Sequence, residues 1–127
     1  MRLNQVTVGS SDLDRSQEFY EAIGLLLIVK DDNYLRFECP RGESTFSVER
    51  VAAVPEAEQV TIYFESENVD ADHARLVAAE IRFEHAPADM PWLWREARLR
   101  DPDGHPLCLF QGGDNRRYPP WRIGGRP

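Results

Sequence analysis

Long apolar runs are missing from this chain. The longest, Ile23 to Val29, spans seven residues including Gly24, far short of the roughly 20 that a membrane-spanning helix needs. The first residues, Met-Arg-Leu-Asn-Gln, hold no apolar stretch of the kind that carries an export signal. Cysteine is scarce. Cys39 and Cys108 are the only two, too few for a disulfide framework, so both are expected as reduced thiols in the cytoplasm. Lysine is nearly absent: Lys30 stands alone among 15 basic residues, the rest being Arg. Positive charge falls short overall, with 22 Asp and Glu giving a net charge of −7, a balance that repels phosphate and argues against nucleic-acid binding. Glycine-rich phosphate loops are missing too, since Gly112-Gly113 and Gly124-Gly125 follow no strand–helix junction. No Ser-His-Asp arrangement has sensible spacing.

What remains is 127 residues, 42% apolar and 29% charged, the make-up of one soluble globular domain with a real core. The charge is uneven. Residues 112–127 carry Arg116, Arg117, Arg122 and Arg126 against Asp114, so a short basic tail follows an acidic body.

The hydrophobic pattern orders the elements. Leu3 to Val8 alternates as a strand, with Val6 and Val8 on one face and Gln5 and Thr7 on the other. Gly9-Ser10-Ser11 reads as a turn. Asp12 to Ile23 reads as a helix capped by Ser11 or Asp12 and stopped by Gly24. Strands follow at Leu25–Lys30, Tyr34–Cys39 and Thr45–Glu49. After a linker at 54–58 the order restarts: a strand at Gln59–Phe64, a helix at Val69–Glu80 with Val69, His73, Leu76 and Val77 facing inward, and a short strand at Ile81–His85. A proline-containing loop at 86–93 leads to strands at Trp94–Arg100 and Pro106–Gln111, joined by the turn Asp101-Pro102-Asp103-Gly104. Each half is βαβββ, and Gln5-Val6-Thr7 recurs as Gln59-Val60-Thr61. The expected fold class is α+β: two tandem βαβββ modules, 1–53 and 58–111, forming a curled mixed sheet around a cleft, with the tail 112–127 beyond them.

Two stretches resemble the vicinal oxygen chelate superfamily, which contains glyoxalase I, bleomycin-resistance proteins and extradiol dioxygenases. One is Gln5-Val6-Thr7-Val8 with Asp12-Leu13-Asp14-Arg15-Ser16, Phe19-Tyr20 and Gly24-Leu25. The other is Arg100-Asp101-Pro102-Asp103-Gly104-His105-Pro106-Leu107-Cys108-Leu109-Phe110. Metal-dependent members hold a divalent ion with His and Glu. The resemblance places those four positions on Gln5, Ser47, Gln59 and Cys108, with neither imidazole nor carboxylate among them. That set suits no hard cation and no zinc site, so no cofactor is expected. A divalent metal, with Glu49 brought in by a two-residue register change, is the alternative. The three histidines come from elements that point apart and read as a helix-face, a strand-end and a turn residue.

Alternation predicts what faces the cleft. The first module offers Gln5, Thr7, Tyr34, Arg36, Glu38, Ser47 and Glu49. The second offers Gln59, Thr61, Tyr63, Trp94, Glu96, Arg98, Cys108 and Phe110. A plain solvated sheet face with ion pairs such as Glu96–Arg98 is the bland account. A half-apolar concave surface with a few polar anchors is the make-up of a small-molecule pocket. Trp92 and Trp121 lie outside strands and read as lid or interface residues, and Cys108 as a small filler or, less simply, a nucleophile. The resemblance implies a homodimer that binds a small organic molecule, with Glu38, Glu49 and Glu96 drawing a cationic aromatic ligand, and with no nucleic-acid or membrane partner. The other reading is a metal-dependent lyase, isomerase or dioxygenase with Glu49 or Glu96 as base.

Overall fold

A computed structural model describes residues 2–55 and 60–125. The elements run β1 (Gln5–Ser10), α1 (Leu13–Ala22), β2 (Leu26–Lys30), β3 (Tyr34–Glu38), β4 (Thr45–Arg50), β5 (Ile62–Glu65), α2 (Val69–Ala78), β6 (Ala88–Asp89), β7 (Arg95–Arg100) and β8 (Pro106–Gln111). They form two four-stranded mixed sheets. Sheet A has the order β1-β4-β3-β2 and sheet B the order β5-β8-β7-β6. In each, the strand before the helix pairs parallel to the last strand of its module, and the other pairings are antiparallel. The chain is α+β and built of two βαβββ modules, as its sequence pattern leads one to expect.

By internal contacts the chain forms two compact units. Asp101–His105, the turn between β7 and β8, belongs to the first, while Val60–Arg100 and the residues from Pro106 onward form the second. In the first unit α1 lies on sheet A through Tyr20. This ring is fully buried and sits 4.5 Å from Phe46 and 5.8 Å from Phe37, centroid to centroid. Its hydroxyl donates to Asp101 Oδ2 at 2.6 Å. The other carboxylate oxygen accepts the backbone N–H groups of Asp103 and His105 at 2.9 Å each. Burial, with the Asp101 charge, pushes the phenol far above its ordinary range, so it stays a donor. Asp103 in turn accepts from the Ser11 backbone and from the hydroxyls of Ser11 and Ser16. Burial opposes its ionisation, but these bonds outweigh that and hold its carboxyl below the usual range.

The second unit repeats the plan with different residues. Val69 and Leu76 of α2 and Ala97, Leu99, Leu107, Cys108, Leu109 and Phe110 of sheet B are its buried apolar side chains among the described residues. The helix starts match. Asp12 caps α1 by accepting from Arg15 N, and Asn68 caps α2 by accepting from Ala71 N. Two residues before each cap a buried serine, Ser10 or Ser66, binds the cap's backbone N–H. This frame relates the modules by 56 residues, not the 54 of the Gln-Val-Thr repeat. The sheet registers agree, since Thr7 pairs with Ser47 and Ser47 with Arg36, while Tyr63 pairs with Cys108 and Cys108 with Arg98. The repeated tripeptide is therefore two residues out of structural step. Thr61, not Gln59, stands in the place of Gln5; Gln59 itself lies outside the described residues.

Several local expectations are corrected. Gly9 and Ser10 belong to β1 rather than to a turn, because Ser10 pairs with Arg50 and its hydroxyl is satisfied by Ser16 at 2.6 Å and by Asp12. Residues 81–85 form no strand. Only Phe83 bridges Leu99, and Pro87 has no N–H to continue the ladder, so pairing resumes at Ala88–Asp89 inside the expected loop. Val77 is 49% exposed. It falls about 80° round the helix from Val69, off the stripe that Leu76 shares.

Tyr20→Phe removes the one donor to Asp101 Oδ2 among the described residues while keeping the ring packing. A loss of about 1–3 kcal/mol is expected for a buried acceptor left unpaired, read by urea denaturation with an unchanged slope. A change under half a kcal/mol would mean that water takes the place of the phenol.

Candidate functional site

The helix-free face of each sheet carries the polar and aromatic side chains that alternation predicts. In sheet A the pairing aligns Gln5, Thr45 and Glu38 in one row, Thr7, Ser47 and Arg36 in the next, and Gly9, Glu49 and Tyr34 in the third. Ser47 is fully buried, Tyr34 and Arg36 are half-buried, and Gln5, Thr7, Glu38 and Glu49 are exposed. Tyr34 is the hub. Its hydroxyl lies 2.6 Å from Ser47 Oγ, and Arg36 Nε donates to it at 3.0 Å. Gln5 hydrogen-bonds the same phenol and accepts from Thr45 at 2.7 Å. Burial works to raise the phenol's pKa, but the bonds to Ser47 and Arg36, the Arg36 charge and Gln5 together hold it below its ordinary value. Glu49, expected as a ligand or base, stands exposed across from Tyr34.

In sheet B the corresponding rows are Tyr63, Cys108 and Arg98, then Glu65, Phe110, Glu96 and Ala88. Tyr63, Trp94 and Phe110 form an aromatic trio. Trp94 stacks on Phe110 at 4.6 Å and 27°, and Tyr63 stands edge-on to both at 5.9 and 5.7 Å. The stack closes on Gly112, where a Cβ would come within 3.1 Å of Trp94 Nε1 and 3.2 Å of Phe110. Thr61 is half-buried just before β5.

Glu96 is 0% exposed. A carboxylate in that position needs partners on both oxygens, and it has them. Trp92 Nε1 donates to Oε1 at 2.6 Å, while Arg98 Nε and Nη2 donate to Oε2 at 3.3 Å. Arg98 Nη2 also donates to the Tyr63 hydroxyl at 3.1 Å. The Cys108 thiol, likewise 0% exposed, hydrogen-bonds Glu96. Burial first, then the Glu96 charge, push its pKa up to about 12, against the smaller opposite pull of Arg98. The thiol is neutral at physiological pH, which fits a filler and not a nucleophile. Trp92 is placed by a tight loop in which Met90 N donates to Trp94 O and Leu93 N to Met90 O. Leu93 pays for it with φ +68°, a conformation that costs a branched side chain energy and clusters near functional sites.

The structure thus brings Gln5, Ser47 and Arg36 together with Tyr34 in the first unit, and Tyr63, Trp94, Glu96, Arg98, Cys108 and Phe110 together in the second. Thr7, Glu38 and Glu49 share the first face but join no network among the described residues. The histidines stand apart. His105 lies 2.7 Å from Gly9 O, His73 packs edge-on to Phe83, and His85 bonds the neighbouring Ala86 carbonyl. His73, Phe83 and His85 line a shallow hollow of about 650 Å³ on the α2 side. One residue of these networks, Trp92, lies outside the expected cleft-facing set. Tyr34 had been placed on the right face by its parity. Trp92 carries no sequence signal beyond its place three residues before β7. The tail does not trail freely where it begins: Gly113–Arg116 forms a turn of 3₁₀ helix and Arg116 pairs with Glu65 at 3.4 Å, whereas Trp121 is 57% exposed.

Of the four positions that the resemblance marks as ligand positions, the three described ones, Gln5, Ser47 and Cys108, do not fit a hard divalent cation. Gln5 offers a neutral amide engaged by Thr45, Ser47 a hydroxyl bonded to Tyr34, and Cys108 a buried neutral thiol. None supplies the charge that such an ion requires. Among the described residues no group of three or more His, Cys, Asp or Glu is placed to hold a metal, and no helix is long and apolar enough to cross a membrane.

Solved structures share this fold. A lactoylglutathione lyase from Agrobacterium tumefaciens is 21% identical over 87% of this chain and 93% of its own, with a TM-score of 0.72. A glyoxalase/bleomycin resistance protein/dioxygenase from Nocardioides is 24% identical over 100% and 87%, with a TM-score of 0.72. A bleomycin-binding protein complexed with bleomycin is 22% identical over 87% and 98%, with a TM-score of 0.70. No curated protein matches. The family model of the glyoxalase/bleomycin resistance protein/dioxygenase superfamily matches residues 2–109, and to that superfamily this chain belongs.

Proposed function

We propose that this chain is a metal-independent binding protein that sequesters a small organic molecule bearing a planar aromatic group on the helix-free face of sheet B. The observation that carries the reading is the aromatic trio of Tyr63, Trp94 and Phe110 beside a buried Glu96, hydrogen-bonded on both oxygens, and a half-buried Arg98. Tyr63 is 43% exposed and Trp94 half-buried, so an incoming ring finds aromatic surface already held in place, and little ordering is spent on binding. The bleomycin-binding neighbour supports a small-molecule role.

Two features weigh against catalysis by these groups. Glu96 has both oxygens already engaged by Trp92 and Arg98, and Cys108 keeps its proton. The expected pull of Glu96 on a cation is also reduced, because Arg98 neutralises it at 3.3 Å. Glu38 and Glu49 remain as exposed acids on the other sheet. The reading includes a homodimer: the edge strand β2 leaves Leu26 and Ile28 exposed at 51% and 47%, an apolar edge that a second copy would cover.

The direct test is calorimetric titration with bleomycin, naphthoate and naphthylmethanol. At least one is expected to bind, and Trp94→Ala to weaken it by about tenfold, or ~1.4 kcal/mol, the scale of one aromatic contact. No binding of any probe, or equal binding by the variant, refutes the reading.

Metal independence has its own test. Purified protein soaked in Mn²⁺, Fe²⁺, Ni²⁺ or Zn²⁺ and desalted is expected to retain far less than one ion per chain by elemental analysis. Near-stoichiometric retention would bring back the metal-dependent enzyme.

Cys108 makes a third. At pH 7 to 8 its thiol should react with a thiol reagent only on the timescale of unfolding, because so little of it is thiolate. Rapid native labelling of Cys108, located by mass spectrometry, would mean that the thiol is ionised and chemically active.

A further inference from the structure

The two modules carry an arginine at the same structural position and treat its charge differently. Arg36 and Arg98 each occupy the row set by the strand before the helix, opposite Ser47 and Cys108. Each donates through Nε to the residue two places earlier on its own strand. For Arg98 that residue is Glu96, which takes two bonds and cancels the charge, and Nη2 is shared with Tyr63. For Arg36 it is Tyr34, a neutral phenol. Among the described residues Arg36 uses only Nε, and no carboxylate lies within 4.0 Å of it; Glu38 and Glu49 share the face but form no ion pair with it. A half-buried guanidinium is thus left uncompensated, with two outer nitrogens unspent. They lie beside a phenol that three side chains already polarise.

We infer that Arg36, with Tyr34 and Ser47, is a site on the first unit for a carboxylate or phosphate group of a small organic molecule. A guanidinium with two free parallel donors matches such an anion in a bidentate way. The phenol's lowered pKa agrees, since a site that favours one negative oxygen favours another in its place. The chain's net charge of −7 opposes this only at long range, because salt screens exposed charges beyond roughly 10 Å at 0.1 M. The inference goes beyond the proposed binding function, because it concerns the other unit and names its own ligand class, and the anion site can be tested by itself.

The test uses protein labelled with ¹³C in its tyrosine rings, with the Tyr34 signal assigned from Tyr34→Phe. Sodium phosphate and sodium acetate are titrated separately at ionic strength held constant with chloride. A saturable shift of Tyr34 with at least one anion is expected, together with a rise in its phenol pKa, because a bound anion opposes the phenolate. Which anion saturates first separates phosphate from carboxylate chemistry. Arg36→Gln should weaken the effect about tenfold or more, and Arg36→Lys, which keeps the charge but not the fork, by less. No saturable shift up to about 100 mM of either anion, well above the millimolar range of a single charged contact, overturns the inference, as does an equal response in Arg36→Gln. The wild-type titration decides the matter even where a variant fails to fold. Phosphate and acetate carry no aromatic ring, so their response is separate from the reading of sheet B. If phosphate or acetate saturates at Arg36 and neither naphthyl compound binds, this site stands and the reading of sheet B falls. If a naphthyl compound binds through Trp94 and neither anion saturates, the reverse holds.

Discussion

The buried hydrogen bond from Tyr20 to Asp101 is the constraint on which the first unit depends. Tyr20 is the largest fully buried side chain of α1 and sits against Phe37 and Phe46 of sheet A. A phenol in that position must donate or leave a polar group unpaired, and the polar side chains on the core face of sheet A are the donors Lys30 and Arg50 and the hydroxyl of Ser10, which is spent on Ser16 and Asp12. The acceptor comes instead from the turn between β7 and β8. Asp101 can serve because its second oxygen is itself held by two backbone N–H groups, so one carboxylate folds the turn and receives the helix. Asp103, two residues on, does the same for the start of α1 through Ser11 and Ser16. The Asp-Pro-Asp-Gly segment is therefore more than a hairpin signal. Its two acids are the polar half of the α1 packing, and Gly104, with φ +90°, supplies the reversal that lets both face the helix.

How legible was this in the sequence? The order of elements and the buried faces were, because they follow from period: Leu35 and Phe37 alternate and are both fully buried, and Asp12 and Gly24 bracket α1. The frame of the duplication was less so. Gln5-Val6-Thr7 and Gln59-Val60-Thr61 are identical in letters, yet the caps Asp12 and Asn68 and the sheet registers set a spacing two residues longer. A shift of two keeps the same face of a strand, so parity survived the error and only the pairing partner changed. The missed β6 has a different cause. A two-residue strand next to a proline has no period to read.

The site divides along the same line. Parity placed Tyr63, Trp94, Glu96, Arg98, Cys108 and Phe110 on one face, and the structure gathers them. Parity does not tell which polar groups are satisfied. Glu96 is as polar as Glu49 in the sequence, yet one is fully buried between Trp92 and Arg98 and the other faces outward. The difference lies in the loop before β7, where Leu93 adopts a left-handed backbone and brings the Trp92 indole over the carboxylate. No pattern in the letters predicts that return.

Duplication makes each module a control for the other. The scaffold repeats a strand, a capped helix and three strands, and it repeats an arginine in the middle of the helix-free face. What differs is the residue two places before that arginine. A carboxylate there gives Arg98 a partner, lets Cys108 be buried as a neutral neighbour and leaves an uncharged platform for aromatic rings. A phenol there leaves Arg36 cationic and is itself made more acidic. Divergence at that single step, on a background of shared architecture, leaves one face with an arginine paired to a carboxylate and the other with an arginine bonded to a neutral phenol.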